Sequence, residues 1–289
     1  MTLSIGLLGP LIIECRDHPV GSIPPKARAL LGFLAAQRCQ TVSRERLADL
    51  LWPFKKSEVA RHSLRNCLLQ LRRTFGPSGA GYIASDQVYC RIAGAVVDLH
   101  RFERLSRSQQ RSELQAAADL YRGNFLADLD VNSEPFQEWL AREREHTFAV
   151  ACDVLHKLTA AQDAAGNHDA AIQTGRRLVA LDPLCELGQR ALIRAYARAG
   201  RCSEALRQYK SCAQILEREL GVAPDRETQR LANAIFNSSQ AGRERSHRLI
   251  VRISRSSNLP HPMKRDNLSD CQRRGLPVAG RNKDRSNAN

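Results

Sequence analysis

Sliding the sequence along itself by 34 residues brings Leu158 onto Leu192, Ala161 onto Ala195, Ala165 onto Ala199, Gly166 onto Gly200, Ala171 onto Ala205 and Ile172 onto Leu206. This recurrence constrains the fold strongly, because each unit must be one supersecondary element that buries its apolar face by stacking on the next. Small residues recur where two antiparallel helix backbones approach closely, and Gly166 and Gly200 suit the turn between them. The alternative, a plain helical bundle with a chance similarity, needs the same helices but no repeated turn.

Thirty-four residues is the tetratricopeptide length. Two clear units are few for a stable stack, so flanking helices must complete it. "SELQAAADLYRGNFLADLDV", "EPFQEWLAREREHTFAVACDVLHKL" and "APDRETQRLANAIF" are suited to this, with Trp139 and Phe148 as packing anchors.

The first hundred residues are patterned differently. "LSIGLLGPLIIEC", followed by the turn signal "RDHPVG", reads as short strands. Pro24 and Pro25 open a helix over "KARALLGFLAAQR". Ser43 is the expected N-cap of a second helix, "RERLADLLW", with Glu45 in its first turn and Pro53 beyond its end. Ser57 is the expected cap of a third helix, which Gly76, Pro77 and Gly79 terminate. "YIAS" and "VYCRI" around "DQ" then form a hairpin. Strands, three helices and a closing hairpin make a winged helix, whose third helix enters the major groove while the hairpin meets the backbone.

The third helix carries "EVARHSLRNCLLQLRRTF". At 100° per residue, Leu64, Leu68, Leu71 and Phe75 fall within an arc of about 60°, with Ala60 and Cys67 at its edge. The opposite pole holds His62, Asn66, Leu69 and Arg73, flanked by Arg65 and Gln70. Glu58 is the single acid, whereas a merely solvated helix mixes signs to gain pair energy.

Charge along the chain agrees with an anionic ligand at this end. Residues 1–100 hold 13 Lys plus Arg against 7 acids (+6), residues 101–242 hold 19 against 19, and residues 243–289 hold 12 against 4 (+8), which sum to the formal +14. A basic first segment and a neutral middle direct nucleic acid to the first segment. No apolar run approaches the roughly 20 residues that span a bilayer, and the N-terminus lacks a secretory signal, so a cytoplasmic location is expected.

The nine cysteines show no C-x-x-C pair and read as reduced, small hydrophobes. Neither Cys nor His recurs at metal-ligand spacing, and no phosphate-cradling or nucleophile motif is present. No enzyme, cofactor or metal is therefore expected. Glu143 and Glu145 in "REREH" read as a solvated helix face. Residues 237–289, rich in Arg, Ser and Asn, read as disordered, with "RLIVRI" at 248–253 as a short strand or contact segment.

"LLWPFKKSEVARHSLRNCLLQLRRTFG" resembles the "LW…AR..L…..LR" stretch of SARP-type bacterial activators, whose DNA-binding domain has the OmpR-type winged-helix fold. "VDLHRFERL", "ADLYRGNFLADLD", "LDP" at 181–183 and "ERELGVAPDRETQRL" are similar to the bacterial transcriptional activator domain of the same family. Together the resemblances cover about residues 3–236. They imply a mainly α protein with a small α+β N-terminal domain: a winged helix over 1–98, tetratricopeptide-like repeats over 99–236, and a basic disordered tail over 237–289. On the family's pattern Trp52, Leu64, Leu68 and Leu71 are core, while Arg61, Arg65, Gln70, Arg72 and Arg73 match the basic positions of the recognition helix. Leu69 departs from the small polar residue usual there. Lys55 and Lys56 fall where a winged helix meets either phosphates or RNA polymerase. The implied partners are double-stranded promoter DNA, RNA polymerase and a second copy of the chain, with the repeats supplying the dimer contacts. With no receiver domain or P-loop ATPase in the sequence, the chain resembles the small, stand-alone members. The alternative is a helical-repeat interaction protein whose winged helix docks a protein.

Overall fold

The computed structural model describes residues 3–15, 20–38, 40–76 and 79–256, with the helical backbone alone at 79–80 and 242–256. The turn expected over "RDHPVG" lies largely outside them.

β1 (Leu3–Gly6) pairs antiparallel with β2 (Ile12–Cys15), with Leu3 opposite Cys15. α1 (Pro25–Ala36) starts on a proline, whose missing N–H costs nothing in a first turn. β3 (Val42–Ser43) leads into α2 (Arg44–Leu51), where the Ser43 hydroxyl accepts from the Arg46 amide at 3.1 Å, as the cap expectation required. α3 (Ser57–Thr74) begins at Ser57 itself. Lys56 holds the cap position and no side chain closes it, so the capping role expected of Ser57 is not filled.

After α4 (Gly79–Tyr82), β4 (Ile83–Ser85) and β5 (Tyr89–Ile92) form the expected hairpin, and β3 joins β5 to give the order β3-β5-β4. β6 (Ala95–Val97) returns to lie parallel to β1. β3, α4 and β6 escape the sequence reading because each is four residues or fewer, too short to display a period.

The helical region follows as α5 (Asp98–Leu105), α6 (Arg111–Leu120), α7 (Glu134–Ala164), α8 (His168–Leu181), α9 (Glu186–Arg198), α10 (Cys202–Leu220) and α11 (Arg226–Ser256). The repeat appears in the backbone bonds. Asn167 donates to the carbonyl of Gln162 at 3.0 Å, and 34 residues on Arg201 donates to that of Tyr196 at 2.9 Å. Gly166 and Gly200 between them have φ of 76° and 75°, the left-handed region that side chains resist. Both are helix C-termini closed by a left-handed glycine, set 34 residues apart.

Close approach in the stack is also set by glycine. A Cβ on Gly188 would lie 3.0 Å from Leu178, and one on Gly175 would lie 3.2 Å from Leu192. Trp139 is an anchor as expected, 7% exposed and packed edge-on to Phe33 at 4.8 Å and Phe125 at 5.7 Å. Phe148 is only half-buried. The adjacent Thr147 is the buried residue, with its hydroxyl donating to the carbonyl of Glu143 at 2.7 Å.

A boundary at residue 98 separates the elements but not the core. Residues 1–240 form one compact unit, and a single cluster of buried side chains runs from Leu3 to Leu178. Asp98, the first residue of α5, accepts the amides of Leu7 at 2.7 Å and Leu8 at 3.2 Å, while Arg122 donates to its carboxylate at 2.9 Å. Asp128 likewise accepts the Leu11 amide at 2.8 Å and pairs with Arg28. Lys26 donates to the carbonyls of Leu51 at 2.6 Å and Asn132 at 2.8 Å, and Ser133 donates to that of Leu50 at 2.5 Å. The segment between α6 and α7 is thus bonded along the strands and the α2 C-terminus.

The helical backbone of α11 continues past residue 237, where disorder is expected from the sequence, to Ser256; residues 257–289 lie outside the described residues. "RLIVRI" falls within that helix and not in a strand. A helix satisfies its own backbone groups, whereas a strand needs a neighbour to do so. Among the described residues, no helix is long and apolar enough to cross a membrane, no group of His, Cys, Asp and Glu is placed to hold a metal, and seven cysteines are free thiols.

Candidate nucleic-acid interface

The inner face of α3 explains why the helix sits where it does. Ala60, Leu64, Leu68 and Leu71 are at most 3% exposed, Phe75 is fully buried, and Cys67 is half-buried at the edge. With that stripe fixed in the core, the opposite side must face outward. Arg61, His62, Arg65, Asn66, Leu69, Gln70 and Arg73 are all exposed, Leu69 among them at 45%. One face therefore presents three guanidinium groups, an imidazole and two carboxamides.

Arg72 behaves differently from its neighbours. It is half-buried, and its Nε and Nη2 donate to the carbonyl of Ile83 at 3.2 and 3.0 Å, with Nη2 also donating to the Ser85 hydroxyl at 2.7 Å. The basic position read as DNA-facing is thus committed to holding β4 against α3. Its place in the sequence, one step from Arg73 and a third of a turn round the helix, gave no sign of this.

The hairpin is pinned a second time from α2. The Arg44 side chain donates to the Asp86 carbonyl at 3.0 Å and its amide to the Val88 carbonyl at 2.7 Å. Inside the turn the Asp86 carboxylate accepts the amides of Tyr89 at 2.6 Å and Val88 at 2.7 Å, and these two bonds hold its pKa below the ordinary aspartate value. An open groove of about 960 Å³ results between α3, the start of α2 and the hairpin tip. Arg44, Arg61, His62, Arg65, Gln87 and Val88 are among its lining residues. Glu45, Glu58 and Asp86 also line it, so the positive charge is concentrated along α3 and not spread over the whole groove. Gln87, Val88 and Arg44 are missing from the sequence-based candidates, although the "DQ" turn that places the first two was legible.

Lys55 and Lys56 are exposed in the loop between α2 and α3, and Lys55 Nζ lies 3.4 Å from the Ser63 hydroxyl. Beside them Phe54 is 86% exposed and Val59, in the first turn of α3, is 50% exposed. The loop side is therefore basic and apolar together, while the central face of α3 is basic and polar.

Residues 97–236 match the family model described as the bacterial transcriptional activator domain. The chain is 29% identical over 258 residues to the regulatory protein DnrI of Streptomyces peucetius, a match covering 82% of this chain and 93% of that protein. It is 30% identical over 247 residues to the transcriptional regulatory protein EmbR of Mycobacterium tuberculosis, covering 77% of this chain and 60% of that protein. A solved structure of EmbR, in complex with a low-affinity phosphopeptide, superposes with a TM-score of 0.64 at 25% identity over 82% of this chain and 65% of that one. Residues 97–236 thus carry the bacterial transcriptional activator domain, and with its winged-helix surface the chain is similar to the SARP-type bacterial transcriptional activators, a family of transcription regulators and not of enzymes.

Proposed function

We propose that the chain binds promoter DNA sequence-specifically through the outer face of α3 and activates transcription by contacting RNA polymerase, acting as a homodimer. The observation that supports this is the one exposed face on which Arg61, His62, Arg65, Asn66, Leu69, Gln70 and Arg73 stand together beside a doubly pinned hairpin. Base edges in the major groove are read bidentately, adenine by Asn and guanine by Arg. Asn66 at the outward pole and Arg65 beside it, midway along the helix, take that role. Arg61, Arg73 and the hairpin flank them and serve the phosphates, which fix register without carrying base information. Leu69 adds an apolar contact of the kind that suits a thymine methyl group.

The loop with Lys55 and Lys56 serves phosphates or polymerase. Exposed Phe54 and Val59 beside them favour the polymerase, since phosphate offers an apolar side chain nothing. Competition binding on a cognate promoter and on random duplex tests the assignment. Asn66→Ala or Arg65→Ala lowers cognate affinity by about 1 to 3 kcal/mol more than random affinity. Lys55→Ala lowers both alike, or spares binding and lowers transcription in a reconstituted assay. Equal losses on both DNAs for Asn66→Ala and Arg65→Ala would show that the sequence is read elsewhere.

A further inference from the structure

Glu58, the single acid of α3, is exposed in the first turn of that helix. At 100° per residue it falls between Arg65 and Leu69, and the three share an arc of about 40°. All three line the open groove beside the hairpin, together with Arg61 and His62. Spacings of three and four residues place Arg61 and His62 within reach of Glu58, yet among the described residues no hydrogen bond or ion pair engages its carboxylate. Two other acids line the groove. Asp86 is committed to the amides of Val88 and Tyr89 inside its own turn, and Glu45 stands in the first turn of α2, away from the helix that carries Arg65 and Asn66. Glu58 is therefore the acid left to meet whatever lies along α3.

A carboxylate in a groove that takes duplex DNA repels phosphates whatever the sequence, and it gains only where a base edge offers it a donor. In the major groove guanine presents two acceptors, thymine an acceptor and a methyl group, and adenine an acceptor beside its amino group. Cytosine presents an amino group alone. An ionised carboxylate accepts and never donates, so it attracts cytosine and meets an acceptor on each of the other three bases. We infer that Glu58 is a specificity-determining residue that selects cytosine in the bound site, largely by rejecting the other bases. The inference rests on the DNA-binding reading of α3 and adds to it one base and the residue that selects it. Recognition helices present their N-terminal residues to base edges, which is where Glu58 stands. Seven residues of helix separate Glu58 from Arg65 by about 10.5 Å, on the order of three base-pair steps, which sets the expected distance from this cytosine to the guanine read by Arg65. As a first-turn acid Glu58 also faces the positive end of the helix dipole, a role that loss of the charge weakens without touching base preference.

The test selects bound duplexes from a randomised pool with the full chain and with its Glu58→Gln, Glu58→Ala, Arg65→Ala and Asn66→Ala variants, and sequences what each retains. Gln and Ala are good helix formers, so α3 is kept, and melting temperatures confirm it. Glu58→Gln is expected to move the preference at one position from cytosine to adenine, because a carboxamide pairs bidentately with adenine. Glu58→Ala flattens that position, and cytosine loses an advantage of about 5- to 150-fold. Both variants bind the unselected pool at least as tightly as the wild type, since the lost charge repelled phosphate. Glu58 variants with the wild-type base profile, beside Arg65→Ala or Asn66→Ala with an altered one, overturn the inference and leave the α3 reading standing. A loss of preference spread evenly over all positions in the Glu58 variants overturns it as well. Unchanged profiles in all four variants, or a full chain that retains no duplex, overturn both.

Discussion

Arg72 reaches from α3 to the carbonyl of Ile83 through two donors, at 3.2 and 3.0 Å, so the helix proposed to read DNA also positions the hairpin beside it. Loss of that side chain leaves the partly buried carbonyl short of donors, at a cost of about 1 to 3 kcal/mol. Arg72→Ala is therefore expected to lower the melting temperature and to weaken binding to cognate and random DNA alike. Arg65→Ala, on the exposed face, leaves the melting temperature within a degree or two. Thermal unfolding of the two variants side by side checks this, and equal melting temperatures would remove the hairpin-holding role.

The shared core predicts that the winged helix does not stand alone. A fragment ending at residue 98 loses Trp139 from the ring of Phe33 and lacks the Arg122 partner of Asp98. Such a fragment is expected to lack a cooperative urea transition and to expose apolar surface to dye. In the full chain, Trp139→Ala costs about 3 to 5 kcal/mol. A sharp unfolding transition in the isolated fragment would sink the argument.

Gly200 has φ of 75° in the turn between α9 and α10, where an open surround leaves conformation as the constraint. Gly200→Ala is expected to destabilise by about 1 to 2 kcal/mol, and Gly166→Ala by a similar amount because its turn is the same. Chemical denaturation of both variants gives the comparison. A large difference between them would mean that the two turns are not equivalent.

Burial would push the Asp128 carboxyl up, but the Leu11 amide and Arg28 outweigh it and hold its pKa below the ordinary aspartate value. A carboxyl depressed on folding contributes stability that is present above the unfolded value, about 3.9, and is lost as pH falls through the folded value. The stability gap between the wild type and Asp128→Asn is thus expected to be widest above about pH 5 and to close on acidification below about pH 4. Urea titrations across that range measure it. A gap that stays constant with pH would mean the carboxylate charge plays no part at this joint.

Cys152 and Cys212 have pKa values pushed up to about 11, in both cases chiefly by burial. Since the thiolate is the nucleophile, both are expected to resist alkylation at neutral pH until the chain unfolds. Mass spectrometry after a timed iodoacetamide pulse, with and without denaturant, reads this directly. Rapid labelling of Cys212 in the folded chain would contradict its placement in the core.

Much of the candidate site was legible in the sequence because α3 is long enough for its period to show. Eighteen residues with Leu64, Leu68 and Leu71 in register fix an inner face and, by exclusion, the exposed residues. The repeat was legible for the same reason, since Gly166 and Gly200 recur at a fixed distance. The Ser43 cap, the Pro53 stop and the "DQ" turn are local signals that no tertiary contact had to complete. Arg72 could not be told from Arg73, because its partner Ile83 is a carbonyl and every residue type supplies one.

The sequence by itself therefore determined where most of the longer helices lie, the faces they bury, the period at which they stack, and where positive charge gathers. Tertiary structure alone decided that Asp98 and Asp128 bind the amides of Leu7 and Leu11, that Arg72 serves the hairpin, and that the winged helix and the repeats share one core. Periodicity and caps report interactions within a few residues, which the chain carries wherever it goes. A bond between Asp98 and Leu7 spans 91 residues and exists only after packing has brought the two backbones together.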